Sequence, residues 1–329
     1  MSTEHLHGKN ILVTGGTGTF GRAIVRRLLA IPEVKRVIIL SRDEYKQSQM
    51  QGEPVYQDPR LSFFLGDIRD KARLLRAFNH VDIVVHAAAL KQVPALEYNP
   101  SEAIETNVIG TRNVIDAALD RNVEQVLFIS SDKAVQPVNL YGATKMCAER
   151  LAIAANSYRG AHGRTRISVI RYGNVLGSRG SIVEVVGTQR PSGRLTLTDA
   201  RMTRFWIHID KVIDSVFEAL RIMDSGEIFI PKMTSTYVKD LLQSLAPECE
   251  LIEVGMRPGE KLHETLITEH ESARTRDAGI LCVIEPEFAT WGRGEPLARY
   301  PRLAESVAYT SDSELCLLPP ERVGEVLAV

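Results

Sequence analysis

Asn10-Ile-Leu-Val-Thr-Gly-Gly-Thr-Gly-Thr-Phe-Gly21 holds a short apolar run, a glycine-rich turn, and the start of a segment in which Phe20, Ile24 and Leu28 recur at helical spacing. The order is strand, turn, helix. Glycines stand at 15, 18 and 21. In this setting the first permits a tight turn, the second lets backbone approach a pyrophosphate, and the third lets the helix pack closely on the strand. The anion would then lie at the helix N-terminus. A βα turn that binds nothing is the weaker reading, because a strand precedes the glycines and a helix follows them. Thr17, Thr19 and Phe20 complete the turn and join Gly15, Gly18 and Gly21 as candidate dinucleotide contacts.

Outward from this turn the pattern repeats. Residues 37–40, 61–65, 83–85, 126–129 and 167–170 are further short β-rich runs, with helical stretches between most of them, clearest over 100–118 and 141–156. Apolar strands alternating with helices predict an α/β protein with a Rossmann-type, doubly wound parallel sheet covered on both faces. That dinucleotide-binding unit is expected over residues 8–172. Beyond it Pro191, Gly193, Pro231, Pro247, Pro258 and Gly259 punctuate shorter elements, so 173–329 is expected to be a smaller C-terminal, mainly substrate-binding lobe, with segments able to return to the sheet. Residues 291–301 read as a surface loop. In doubly wound folds ligands sit beyond the carboxyl ends of the strands, so the lobe should close over that edge.

Composition narrows the function classes. With 40 basic against 41 acidic residues in 329, a net charge of −1 and no Lys/Arg run, no global field would hold a nucleic acid or an anionic membrane. No apolar run approaches the roughly 18 residues of a membrane span, and residues 1–10 have no basic stretch leading into an apolar one. A cytoplasmic location is expected. The four cysteines have no paired spacing, which fits thiols used as packing in a reducing compartment, and no histidines stand at metal-ligand spacing on a predicted helix. No metal is expected.

The second run ends Leu40-Ser41-Arg42, where an NAD-specific site would usually place a carboxylate for the ribose hydroxyls. Arg42, with Ser41 and Lys46 nearby, could fork onto a 2′-phosphate, which favours NADP. Asp43 and Glu44 leave NAD open. Asp67 and Ile68 after the third run could meet the adenine. Ala87, Ala88 and Ala89 after the fourth would let backbone approach the cofactor, and packing is the alternative for both groups. Lys91, Asn107 and Tyr172 complete the cofactor candidates, Lys91 also being a substrate candidate.

Tyr141-Gly-Ala-Thr-Lys145 opens a predicted helix, and the four-residue separation puts both side chains on one face. A phenol with an ordinary pKa near 10 is a poor base at neutral pH, but a nearby ammonium and a cationic nicotinamide favour the phenolate. Such pairs are common on exposed helices. The upstream glycine turn and Ser131 at the end of the fifth run give this one its meaning.

Together these residues resemble the extended, sugar-nucleotide-modifying branch of the short-chain dehydrogenase/reductase superfamily. Ser-Asp-Lys at 131–133, Asn-Leu-Tyr-Gly-Ala-Thr-Lys at 139–145, Arg-Tyr-Gly-Asn-Val at 171–175, Gly-Ser-Arg-Gly-Ser at 177–181, Met-Thr-Arg-Phe-Trp at 202–206 and Arg-Pro-Gly-Glu-Lys-Leu-His-Glu at 257–264 resemble, within it, the inverting UDP-N-acetylglucosamine 4,6-dehydratases that open pseudaminic acid biosynthesis. The resemblance implies that Tyr141, assisted by Lys145 and Ser131, deprotonates the 4-hydroxyl while carbon 4 is oxidised. Lys133 as base and Asp132 as acid would then eliminate water across carbons 5 and 6. For these roles Lys133 must be partly neutral and Asp132 protonated, which burial would favour. Retaining dehydratases of this branch carry Asp-Glu where this chain has Asp132-Lys133, so inversion at carbon 5 is implied. By the same resemblance Asn174 would hold the diphosphate, Arg204 and Arg257 would pair with it, Glu260 would accept from the uridine ribose, and the chain would form a homo-oligomer, as a hexamer. A UDP-sugar 4-epimerase, a retaining dehydratase and a non-catalytic NADP-binding regulator are the competing readings. An intact Ser131, Tyr141 and Lys145 set argues against the last.

Overall fold

The computed structural model describes residues 2–160, 163–178, 180–288, 291, 297–303 and 307–327. Strands β1 (Asn10–Thr14), β2 (Arg36–Ser41), β3 (Leu61–Leu65), β4 (Ile83–His86), β5 (Gln125–Ile129) and β6 (Arg166–Ile170) lie in one parallel sheet in the order 3-2-1-4-5-6. All six expected strands are present, each within a residue of its expected bounds. Ile11, Leu12, Val13, Ile83, Val84 and Val85 are each fully buried, because helices cover both faces. Each such side chain contributes about 1.5–3 kcal/mol relative to exposure.

Helices α1 (Thr19–Leu29), α2 (Glu44–Gln51), α3 (Lys71–Ala77), α4 (Val93–Tyr98), α5 (Pro100–Ile104), α6 (Gly110–Asp120) and α7 (Leu140–Ala154) fill the crossovers. The single helix expected over 100–118 is interrupted. Glu105–Ile109 forms a π-turn, closed by a bond from the Gly110 amide to the Glu105 carbonyl. The wide turn places Asn107 against the loop after β4, where its Oδ1 accepts from the Leu90 amide and its Nδ2 donates to the Leu90 carbonyl, at 2.8 and 2.9 Å.

Past β6 the chain builds β7 (Asn174–Val175), β8 (Arg194–Leu197), β9 (Thr203–Ile207), β10 (Ile228–Pro231), β11 (Thr234–Tyr237), β12 (Glu250–Glu253), β13 (Thr265–Ile267), β14 (Thr275–Ala278), β15 (Leu281–Ile284) and β16 (Tyr309–Thr310). β10 joins the main sheet parallel to β6, and β15 and β14 extend it antiparallel to nine strands. The remaining strands form three small sheets: β11-β9-β7, β12-β8 and β13-β16. Of the surface loop expected over 291–301, residues 292–296 lie outside the described residues, as does Arg179 of the 177–181 motif.

The strand order reverses beside β1, and there the loops after β1 and β4 part to leave a crevice. Thr14 ties the two loops together: its Oγ1 accepts from the Ala87 and Ala88 amides, both at 3.1 Å. Its own proton is left for His86 Nδ1, 2.7 Å away, so His86 Nε2 donates to Thr111 Oγ1 at 3.1 Å. Burial holds this imidazole neutral, pulling it down to about 3, with Lys145 adding to the effect.

Candidate functional site

The crevice opens into a cavity of about 810 Å³ above the carboxyl ends of the parallel strands. Its first wall is the glycine turn. Gly15 has φ +68°, and a Cβ there would stand 2.9 Å from the Ala88 amide nitrogen, while one at Gly21 would collide with the Gly15 carbonyl oxygen. Both positions therefore require glycine. Gly18, extended at φ −76° and ψ 172°, precedes α1 as its cap residue and has no side chain to satisfy the first helical amides. A cradle of bare amides at a helix N-terminus fits a dinucleotide pyrophosphate.

Gly15, Thr17, Gly18, Thr19, Phe20 and Gly21 all line the cavity, and so do Ser41, Arg42, Lys46, Asp67, Ile68, Ala87, Ala88, Ala89 and Lys91. Arg42 lies 3.7 Å from the Asp67 carboxylate, and Lys46 Nζ 2.6 Å from that of Asp43. Asn107 does not line the cavity: it is 1% exposed and braces the Leu90 backbone and Thr144. Its expected direct contact with the cofactor is corrected to support of the loop that makes one wall.

The chemistry-bearing wall comes from the end of β5, the turn that follows it, and the first turn of α7. Ser131 Oγ donates to Asp132 Oδ1 at 2.8 Å and caps the short turn Asp132–Ala134. Asn139 caps α7, accepting from the Gly142 amide at 2.8 Å, and its Nδ2 donates to the Gly259 carbonyl at 2.8 Å. Gly142 is in the contact: a Cβ there would collide with the Lys133 carbonyl oxygen, so the helix seats directly on the Lys133 backbone. The seating brings Ser131, Lys133, Tyr141 and Lys145 to one wall of the cavity, with Tyr172 beside them.

Electrostatics differ here from what the sequence suggests. Lys145 Nζ donates to the Ile129 carbonyl at 2.6 Å and sits 4.2 Å from the Phe128 ring centroid. Burial draws its pKa down to about 7, against an opposing pull from Glu149. Burial pushes the Tyr141 phenol above its ordinary value, opposed by Lys133 and by a side-chain hydrogen bond with Ser131, with Asp132 adding to the rise. The groups that ease Tyr141 ionisation in this structure are thus Lys133 and Ser131, where Lys145 was expected, because Lys145 is turned into the end of the sheet. Tyr172 is raised by burial, with Tyr141 contributing.

Lys133 Nζ donates to Asp132 Oδ1 at 3.1 Å and to Asn174 Oδ1 at 3.4 Å, and lies 3.6 Å from Glu264 Oε1. Burial works against its charge, yet Asp132 and Glu264 outweigh burial and hold it above the usual lysine value. The partly neutral Lys133 expected from burial is therefore corrected to an ammonium between two carboxylates. Asp132 is fully buried and does not line the cavity, and its Oδ2 has no hydrogen-bond partner among the described residues. Ser131 and Lys133 stand between it and the cavity.

Asn174, Arg204 and Glu260 line the far side. Arg204 Nη1 donates to the Thr203 and Leu262 carbonyls at 2.7 and 3.1 Å, and its Nη2 to the Lys261 carbonyl at 2.9 Å. Its fork thus holds the 257–264 segment. Arg257 is exposed, does not line the cavity, and reaches Glu260 through its backbone amide at 3.4 Å. Sequence reasoning missed Thr14 and Glu264. The second stands in a quoted motif, but only the fold brings it to Lys133. Among the described residues no group of His, Cys, Asp and Glu is arranged to hold a metal ion, and no helix is long and apolar enough to cross a membrane.

Residues 11–286 match the family model described as polysaccharide biosynthesis protein. The chain is 46% identical over 282 residues to an inverting UDP-N-acetylglucosamine 4,6-dehydratase of Campylobacter jejuni, covering 85% of this chain and 84% of that one. It is 40% identical over 277 residues to a UDP-glucose 4-epimerase of Rickettsia rickettsii, covering 82% and 80%. Among solved structures it is similar to Pen from Bacillus thuringiensis, at 35% identity, 98% of each chain and a TM-score of 0.88. It is also similar to DesIV, a dTDP-glucose 4,6-dehydratase from Streptomyces venezuelae with NAD bound, at 27% identity, 77% and 86% coverage and a TM-score of 0.68.

Proposed function

The chain belongs to the polysaccharide biosynthesis protein family of extended short-chain dehydrogenase/reductases, and from that premise we propose that it is a UDP-N-acetylglucosamine 4,6-dehydratase that inverts carbon 5. The observation that carries this reading is Lys133, joined to Asp132 at 3.1 Å beside Tyr141. A 4-epimerase needs the glycine turn and a phenol but has no use for an acid and base at 132 and 133.

The glycine turn would hold NADP, whose nicotinamide would supply the hydride relay from carbon 4 to carbon 6. Tyr141 acts as the phenolate, a form that the Lys133 ammonium favours and that a bound nicotinamide cation would favour further; it takes the proton of the 4-hydroxyl beside the Ser131 hydroxyl. The resulting ketone acidifies the proton on carbon 5. Filling the cavity strips water from Lys133, and desolvation disfavours its charged form. Passing one proton along the Nζ···Oδ1 bond leaves a neutral amine on Lys133 and a carboxylic acid on Asp132. The amine removes the carbon 5 proton as the bond from carbon 6 to its hydroxyl breaks. Asp132 supplies the proton that turns this hydroxyl into water, by way of the Ser131 hydroxyl, 2.8 Å from it. Carbon 5 is then reprotonated from the opposite face by water, Tyr141 gives its proton back to solvent, and Lys133 and Asp132 end as the ammonium and carboxylate they began as.

Ser41 and Arg42 at the end of β2, with Lys46 beside them, favour NADP over NAD, although Lys46 pairs with Asp43 and Arg42 stands near Asp67 in the same lining. Asn174 and Glu260 contact the nucleotide diphosphate and ribose, and Arg204 shapes that wall. The product suits the pseudaminic acid route, and the chain works as a homo-oligomer. Lys133→Ala tests the assignment: with UDP-N-acetylglucosamine in heavy water it should form no 6-deoxy product and no carbon 5 deuterium, while still binding the dinucleotide. Undiminished product from this variant would place the base elsewhere.

A further inference from the structure

Glu264 lies outside the cavity lining, is 3% exposed, and follows the Arg257–Glu260 segment in the chain. Its backbone is pinned to the far end of the lobe: its amide donates to Ser311 Oγ at 2.9 Å, and its carbonyl accepts from the Ser311 amide at 2.8 Å. Its carboxylate turns the other way. Oε1 lies 3.6 Å from Lys133 Nζ and 3.9 Å from Arg204 Nε, and Oε2 lies 3.7 Å from Lys261 Nζ. Oε2 has no hydrogen-bond partner among the described residues. A buried carboxylate held at ion-pair distance, with an oxygen left unbonded, is costly unless the surrounding cations need it.

We propose that Glu264 is a positioning residue for Lys133, its carboxylate fixing the Lys133 ammonium at the cavity wall and setting the pH at which that amine becomes a base. This rests on the reading of Lys133 as the carbon 5 base. The groups facing Lys133 are Asp132 from its own turn, Tyr141 from α7, Arg204 from β9 and Glu264 from the segment before β13; Lys261 faces Glu264 and Asp132 from the other side. Of these, Asp132 and Glu264 are the carboxylates that stabilise its charge. Asp132 adjoins Lys133 in sequence and moves with it. Glu264 comes from a separate part of the chain, the segment that carries Glu260 and leads into β13 against the Asp132–Ala134 turn, so the base is finished only when that segment is in place. Two carboxylates against three cations leave the cluster with one net positive charge; neutralising Glu264 leaves two, and Lys133 gives up its proton more readily.

The test is the pH dependence of deuterium entry at carbon 5 from heavy water, measured on the NADP-loaded enzyme with UDP-N-acetylglucosamine for the unmodified chain, Glu264→Gln, Glu264→Asp and Lys133→Ala. In the unmodified enzyme exchange should rise along an alkaline limb as the Asp132–Lys133 pair loses its shared proton and the amine is left neutral, and Lys133→Ala should lack that limb. Glu264→Gln keeps the shape and the backbone bonds, so its limb should move toward acid by at least one pH unit, a tenfold change in the proton affinity of the amine. Glu264→Asp keeps the charge and should stay near the original. A Gln variant that is slower at every pH with the limb unmoved would make Glu264 merely structural and overturn the proposal. A limb that persists in Lys133→Ala would instead refute the assignment of the base and take this inference with it.

Discussion

Gly142→Ala adds one methyl group where α7 seats on the Lys133 turn. Its carbon would collide with the Lys133 carbonyl oxygen and stand 3.0 Å from Pro137 Cβ and 3.2 Å from the Lys133 carbonyl carbon. None of these is the free end of a flexible side chain, so either α7 or the 131–134 turn must move by about 1 Å. Two energies oppose each other. Overpacking costs about 1–3 kcal/mol, and alanine gains about 1 kcal/mol over glycine inside a helix. The net loss of stability is then roughly 0–2 kcal/mol, a fall of a few degrees in Tm. Catalysis is far more sensitive, because the two groups pushed apart are Tyr141 and Lys133, and a 1 Å misplacement can cost about 100-fold. The assay pairs thermal melting and NADP binding with initial rates on UDP-N-acetylglucosamine. A kcat down by about two orders of magnitude with binding retained is expected. A Gly142→Ala enzyme of undiminished kcat and raised Tm would refute the argument that this contact registers the two halves of the site.

Tyr141→Phe should keep dinucleotide binding and lower kcat by about 100-fold to 10,000-fold in a product assay, the range for loss of a general base. Arg42→Ala should weaken NADP by about 10-fold to 100-fold and leave NAD nearly unchanged by calorimetric titration, since a hydrogen bond to a charged group contributes about 1.5–3 kcal/mol; equal losses for both would defeat the 2′-phosphate assignment. Asn107→Ala removes both bonds to the half-buried Leu90 amide and carbonyl, which should cost about 1–3 kcal/mol in total in denaturant unfolding. Lys145 sits near 7 when folded against 10.5 ordinarily, so between those values the unfolded chain holds a proton that the folded one lacks, and stability should rise with pH across that window. Lys145→Met should flatten that rise in cofactor-free protein, and an identical slope in both proteins would contradict the buried, easily neutralised amine.

Much of this architecture was legible because it rests on local rules. The apolar runs over 10–13 and 83–85 are too short for helices and rich in branched residues, so they read as buried strands, and glycines 15, 18 and 21 between strand and helix admit few other uses. The break at Glu105–Ile109 was not legible, because its cause is non-local: Asn107 must reach Leu90, which lies 17 residues away in the chain. The site followed the same division. Ser131, Tyr141 and Lys145 fall within 15 residues of one another, in a recognisable motif, and the fold brings them to one wall. The charge on Lys133 depends on Glu264, and the orientation of Lys145 depends on the Ile129 carbonyl, so both were misjudged from local sequence. Arg257 looks like Arg204 in sequence, yet of the two only Arg204 has backbone carbonyls around its guanidinium to hold it inside.

The central claim is that this site eliminates water and inverts carbon 5, and the most direct measurement is NMR of the product formed from UDP-N-acetylglucosamine in heavy water. A parallel sample carries deuterium at carbon 4 in ordinary water. The account predicts a 4-keto-6-deoxy sugar of L-arabino configuration, with solvent deuterium at carbon 5, none from solvent at carbon 6, and the carbon 4 label recovered at carbon 6. A D-xylo product would contradict inversion, and a mixture of 4-epimers with the 6-hydroxyl intact would contradict dehydration itself.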